Sequence, residues 1–433
     1  MRKSFKKFLL LSAAVLSFMI VPDRAAQGAG GSLTLFLSSE QENYYGPGIE
    51  EFRQKYPEVE LIIESYSINE MMSSQHKVKT ELMAGKGPDL LLLDAYGTDD
   101  VYKLLKSGVF APLDEFMTDE AGWDGGQYVM PVIDGGKFAG VQYVMPLTYR
   151  VPLVLSSQEA LDEIGFNMDA CQDTGSLLKE VSALYEKDHQ NRILLGMAGF
   201  MAFPQLLEGD FLDYESESIG IDPQVLQEAC ESYKNLYEED RTDSLSELAY
   251  YGYGVDILDR EGFIAVITDI DIMLMPVTAI AAKETPVILP AGFAGEGAVA
   301  QVASYTGIRA NSENKENAWN MLKILMGEEM QTAVSENTIS VPVLKSVQDK
   351  KIQTRLQLSL EEAEDYGLPA ADPGEEFLAK YREYLASPGK TIFINNTCTV
   401  NFYNTMLPFY EGQSDYESCL QEFESYIKIY LSE

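Results

Sequence analysis

The sequence predicts an α/β protein of two lobes, each a mostly parallel sheet wrapped by helices, with a hinge between them. Three observations carry this expectation. Short apolar runs alternate with amphipathic stretches between Leu33 and Leu93, the rhythm of parallel strands joined by helices. The chain has 433 residues, more than one core usually holds. No low-complexity linker separates two halves, so several chain crossings are expected to join the lobes and to serve as the hinge.

Residues 1–30 read as an export signal. Arg2, Lys3, Lys6 and Lys7 form a basic start, Phe8 to Val21 is apolar but short for a bilayer span, and small residues follow Pro22. Leu33 to Leu37 suits a strand buried on both faces, followed by Ser38, Ser39 and Glu40 as a loop. Ile49 to Tyr56 is amphipathic and stops at Pro57; Val59 to Ile63 is a second strand. Asn69 to Ala84 reads as a helix ended by Gly85 and Gly87-Pro88. Leu90 to Leu93 is a third strand, closed by Asp94, and Val101–Leu105 and Leu113–Met117 are short helical pieces.

Gln127-Tyr128-Val129-Met130-Pro131 then recurs as Gln142-Tyr143-Val144-Met145-Pro146. With Asp134-Gly135-Gly136 between the copies, a local hairpin with two similar arms is expected. Residues 158–260 read as mainly helical, at Leu177–His189, Pro223–Glu238 and Leu245–Tyr250. Phe263–Ile267 and Val287–Pro290 are strands, and Asn317–Gly327 and Ser414–Leu431 helices.

Charge narrows the function. Lys and Arg total 32, Asp and Glu 68, for a net charge of -36. Such a chain repels phosphate backbones and anionic lipid, so nucleic-acid partners are disfavoured. Removing residues 1–30 takes away Arg2, Lys3, Lys6, Lys7, Arg24 and Asp23, which makes the exported chain more acidic still. No cysteine stands near the signal, so a lipid anchor is not expected. Cys171, Cys230, Cys398 and Cys419 lack C-x-x-C spacing, which disfavours zinc. Cys398 and Cys419 either pair across a loop or stand as small buried apolar residues.

Catalytic motifs are absent. His76 and His189 sit on expected helices among polar neighbours, and neither a G-x-S-x-G elbow nor H-E-x-x-H occurs. No cofactor or metal is indicated, since Asp99-Asp100 and Asp269-Ile270-Asp271 lack calcium-loop spacing. Paired carboxylates suit a glycosidase, yet a chain with 68 acids contains chance pairs. The informative positions are strand ends, because ligands of open parallel sheets sit beyond the carboxyl ends. There stand Glu40, then Asp94 and Tyr96, then Tyr149 and Arg150, and Asp269. Trp319 lies on an apolar helical face and reads as core.

Three stretches resemble the family 1 extracellular solute-binding proteins of bacterial ABC importers, the group that includes maltose-binding proteins. They are Phe52–Pro57 with Met83–Asp89, then Gly136–Gly140 leading to Met145-Pro146, and Thr306–Ser312 with Lys315–Trp319. The resemblance implies two lobes that close on a solute, carbohydrate by default, as a monomer that docks on the permease subunits of an ABC transporter. It implies a first lobe of residues 31–147 and 303–337 and a second of 148–302 and 338–433, with crossings near Pro146, Val302 and Pro342. By position it places Glu40, Asp94, Tyr96 and Arg150 at the ligand, with Phe203 and Tyr403 near the stacking aromatics of the second lobe. Where the family often has tryptophan after the strand at 263–267, this chain has Asp269. From another class comes a sensing or scaffold protein of the same fold that presents its bound state to a receptor; a secreted glycosidase is a third reading.

Overall fold

The computed structural model describes residues 31–95, 100–118, 123–187, 192–194, 203–207, 209–242, 263–267, 270–295 and 297–432. The signal segment, Tyr96, His189, Asp269 and the expected helix at Leu245–Tyr250 lie outside the described residues.

The main strands are β1 Gly31–Ser38, β2 Val59–Tyr66, β3 Leu90–Asp94, β4 Val144–Arg150, β5 Leu153–Ser157, β6 Arg192–Leu194, β7 Phe263–Ile267, β8 Pro286–Pro290, β9 Gly297–Ile308, β10 Val341–Pro342 and β11 Lys390–Ile392. One sheet runs β10-β4-β9-β3-β1-β2, with β11 added to β9. The strands that alternate with helices, β1, β2 and β3, pair in parallel. The crossing strands β4, β9 and β10 add antiparallel neighbours. A second sheet runs β8-β5-β7-β6, with β5 antiparallel to both neighbours and β7 parallel to β6. Both sheets are therefore mixed.

Pro146, Val302 and Pro342 fall on three adjacent strands. Tyr305 faces Pro146, Val302 faces Tyr149, and Pro342 faces Thr148. The register slips between Val302 and Tyr305, which bends and twists β9 at its middle.

The first helix, α1 Ser39–Lys55, begins ten residues earlier than the apolar pattern suggests. Ser38 caps it: its Oγ accepts from Gln41 N at 3.1 Å, while Gln41 Oε1 accepts from Ser38 N at 2.8 Å, a reciprocal capping box. Ser39 and Glu40 are thus the first helical turn, not a loop. Gly46-Pro47-Gly48 imitates a turn but stays helical. Pro47 points to solvent, and Gly48 lets α1 approach the Met330 side chain, whose Sδ lies 2.6 Å from where a Cβ would sit. Next come α2 Met71–Met83, which carries the exposed His76, and α3 Val101–Lys106. Residues 114–116 form a turn, not the expected helix.

The repeated pentapeptide does not form two arms of one hairpin. The first copy runs into a helix at Met130–Asp134, and the second begins the inner strand β4. The small hairpin between them is Lys137–Phe138 with Val141–Gln142, turning on Ala139 and Gly140 at φ 49° and 82°. Gly135 instead caps the helix, and Gly136 passes so close to β4 that a side chain there would meet Val144 O.

One apolar cluster joins Leu35, Leu37, Phe52, Leu92 and Trp319 to Leu153, Leu155 and Ile288, so it continues through the crossing strands into the second sheet. Val154 and Leu289 face a second cluster with Phe203, Phe402 and Phe423. This period-two division of β5 and β8 shows a sheet covered on both sides. All four cysteines are buried free thiols, Cys398 and Cys419 included.

Candidate functional site

The carboxyl ends of β1, β2 and β3 lie side by side, because β1 pairs Ser38 with Tyr66 and Leu35 with Leu90. β9 continues the rim, with Ser304 opposite both Asp94 and Thr148. The Thr148 and Ser304 hydroxyls are 2.7 Å apart. Arg150 stands at the end of β4, opposite Gln301, with its Nε donating to Ser340 Oγ at 3.2 Å. Sheet pairing thus brings together residues remote in sequence.

Glu40, Asp94 and Arg150 form one electrostatic cluster on this rim. Glu40 is exposed in the first turn of α1. Asp94 is half-buried and accepts from Gln41 Nε2 at 3.3 Å. The Asp94 carboxyl is raised to about 6, chiefly by burial and then by the Glu40 charge, with Arg150 opposing both. Tyr44, one turn along α1, is pushed up by burial and by the charges of Asp94 and Glu40. Tyr66, at the end of β2, is raised to about 12, chiefly by burial, with Asp94 a smaller cause. Its hydroxyl accepts from Gln75 Nε2 at 3.1 Å, and its ring stacks on Phe36 at 5.1 Å.

A pH dependence follows from Asp94. Its folded pKa lies above the ordinary carboxylate value of 3.8. The folded state therefore binds the extra proton between these values, and the associated stability is lost as pH rises through about 6. Carbon-detected NMR titration of the Asp94 carboxyl is expected to give an apparent pKa near 6 that falls in Glu40→Gln and rises in Arg150→Ala. An ordinary value, unmoved by either substitution, contradicts the coupling.

The remaining expected site residues stand elsewhere. Tyr149 is interior at 0% exposure, its hydroxyl donating to Leu385 O at 2.5 Å and accepting from Gln348 Nε2 at 3.0 Å. Strand alternation turns it inward where its neighbour Arg150 reaches the rim. Phe203 is also core, 2% exposed and packed on Tyr233 and Phe402 at 5.3 and 6.2 Å. Tyr403 is half-buried on the helix Asn396–Tyr410 against Tyr410. Tyr96 and Asp269 lie outside the described residues. Gln41, Tyr44 and Tyr66 also join the rim. The Ser38-x-x-Gln41 capping spacing is the signal that places the first two beside Glu40.

Among the described residues no cluster of His, Cys, Asp and Glu is arranged to hold a metal ion, and no helix is long and apolar enough to cross a membrane.

Comparison with known proteins gives the same architecture. A family model described as bacterial extracellular solute-binding protein matches residues 49–358. The chain is similar to the sugar-binding protein MalE of Xanthomonas citri, at TM-score 0.64 and 12% identity over 93% of this chain and 97% of that one. It is similar to a periplasmic oligogalacturonide-binding protein of Yersinia enterocolitica, at TM-score 0.60 and 13% identity over 93% and 99%. A third likeness, at TM-score 0.57 and 15% identity over 93% and 100%, is to an ABC substrate-binding protein of Listeria monocytogenes in complex with cycloalternan. At these identities the solved structures speak for the two-lobed fold. No curated protein sequence matches the chain.

Proposed function

The chain belongs to the bacterial extracellular solute-binding proteins, and from that premise we propose that it captures a sugar or oligosaccharide between its lobes for an ABC importer. The observation that carries this reading is the convergence of Glu40, Asp94 and Arg150 on the carboxyl rim of β1, β3 and β4. Carboxylates and a guanidinium, with Tyr44 beside them, present fixed acceptors, fixed donors and an aromatic face. A polyhydroxylated ring needs all three when it leaves water.

The lobes are assigned to residues 31–147 with 303–337 and 148–302 with 338–433. The three adjacent crossing strands and the bulge on β9 support a hinge there. The protein acts as an exported monomer, presents its closed form to permease subunits, and performs no chemistry on its cargo. The pairing of Glu40 with a carboxyl raised by burial also suits a glycosidase; release of chromophore from aryl glycosides by the purified protein supports that reading instead.

The test is a thermal-shift screen with maltose, cycloalternan and oligogalacturonides, since a ligand of the native state raises its melting temperature. Small-angle scattering with the strongest hit is then expected to show a smaller radius of gyration. An unchanged radius at saturation counts against a closing trap.

A further inference from the structure

A cavity of about 510 Å³ lies away from the rim and shares none of its residues. Strand alternation turns Asp94 and the cavity to opposite sides of β3, while Tyr66 of the rim belongs to the cavity-side cluster. Leu90 and Leu92 belong to the apolar cluster beneath α1, and Asp94 shares their face. Leu91 and Leu93 belong to the cluster of Tyr305, Phe393, Tyr102 and Phe138, and the last three line the cavity. Its walls come from both parts of the chain: Tyr102 and Phe138 on one side, Phe211, Tyr214 and Phe393 on the other. Tyr102 packs against Tyr214 at 5.4 Å and against Phe393 at 5.7 Å. Its hydroxyl accepts from Phe393 N at 3.2 Å, which leaves its own hydrogen for a ligand.

The lysines around this cavity are already paired. Lys390 pairs with Asp210 at 2.9 Å, and Lys137 with Asp134 at 2.6 Å. Asp213 accepts from Ser216 Oγ and from the amides of Glu215 and Ser216. An anion therefore has to break a lysine pair and also meets the carboxylates of Asp213 and Glu215. Aromatic walls with paired polar groups at the edge suit a neutral ring that bears hydroxyls. We propose that this cavity is a second binding site, distinct from the rim, that takes a neutral sugar of one or two rings across the two lobes.

Hydrogen exchange of the full chain, free and with maltose or galacturonic acid, tests this. At maltose about ten times its Kd, exchange limited by local opening is expected to slow about tenfold in residues 137–139 and 210–215. This protection persists in Asp94→Ala and is lost in Tyr102→Phe and Phe138→Ala; the first of these keeps the ring packing should the second unfold. Galacturonic acid leaves these segments unprotected. The proposal is overturned if maltose gives no protection there, or if Asp94→Ala abolishes the protection, which then reports lobe closure. It is overturned equally if galacturonic acid protects as well as maltose, because the charge argument has then failed.

Discussion

Asp89→Ala is expected to destabilise the protein by about 3–5 kcal/mol, the usual result of leaving a buried charge without its partner. Asp89 is only 4% exposed, and its two oxygens accept from Thr34 N at 3.0 Å, Arg309 Nη2 at 3.1 Å, Ser312 Oγ at 2.7 Å and Asn314 Nδ2 at 3.2 Å. Arg309 also donates to Pro88 O and Asn311 Oδ1, and Asn311 donates to Gly85 O. Replacement by Ala removes four acceptor contacts at once and strands a guanidinium whose side chain is 16% exposed. Asp89→Asn keeps part of the pattern and is expected to cost less. Urea unfolding of both variants measures the difference, and a loss under about 1 kcal/mol for Asp89→Ala sinks the account. Asp89 lies five residues before Asp94, about 17 Å along an extended strand. Sugar affinity of the folded fraction is therefore expected to stay at the parental value.

This network explains why particular stretches were legible in the sequence. Met83–Asp89 and Thr306–Ser312 carry the family resemblance, and the fold joins them: Arg309 N donates to Asp89 O, and Arg309 clasps Pro88 and Asp89. These motifs fix the foot of β3 against β9 and touch no rim residue. The strands Leu33–Leu37 and Leu90–Leu93 were readable because both their faces are buried and leave continuous apolar runs. β9 carries no clear strand signal, because Gly297–Ile308 is rich in Ala, Gly, Ser and Thr. Its burial comes from neighbours on both sides, which local pattern does not reveal. The start of α1 was hidden by Gly46-Pro47-Gly48, whose helical conformation depends on packing against a distant helix at Met330.

For the rim the limit was orientation. Position after a strand brings Asp94 and Arg150 to one edge, because pairing register alone decides that. It did not separate Arg150 from Tyr149, which points inward to Leu385 and Gln348 from helices remote in sequence. Phe203 likewise finds its partners, Tyr233 and Phe402, only after the chain folds.

Asp94→Ala is expected to weaken sugar binding ten- to a hundred-fold, about 1.4–2.8 kcal/mol. Half-buried, and tied to Gln41 at 3.3 Å, the carboxylate is a preset acceptor, and hydrogen bonds to charged groups contribute about 1.5–3 kcal/mol. Arg150→Ala is expected to act twice. It removes a planar fork of donors, and it removes the positive charge that opposes the raised pKa of Asp94. In that variant Asp94 takes up its proton at higher pH and ceases to be a full acceptor. The loss caused by Arg150→Ala should therefore be larger at pH 6 than at pH 8, whereas Asp94→Ala should bind with little change between them. Calorimetric titration of the parent and both variants at the two pH values, using the sugar that most raises the melting temperature, reads both effects. Equal losses at both pH values would leave Arg150 a donor uncoupled from Asp94. Parental affinity in both variants, with binding lost in Tyr403→Ala, would move the principal site away from this rim to the helix Asn396–Tyr410.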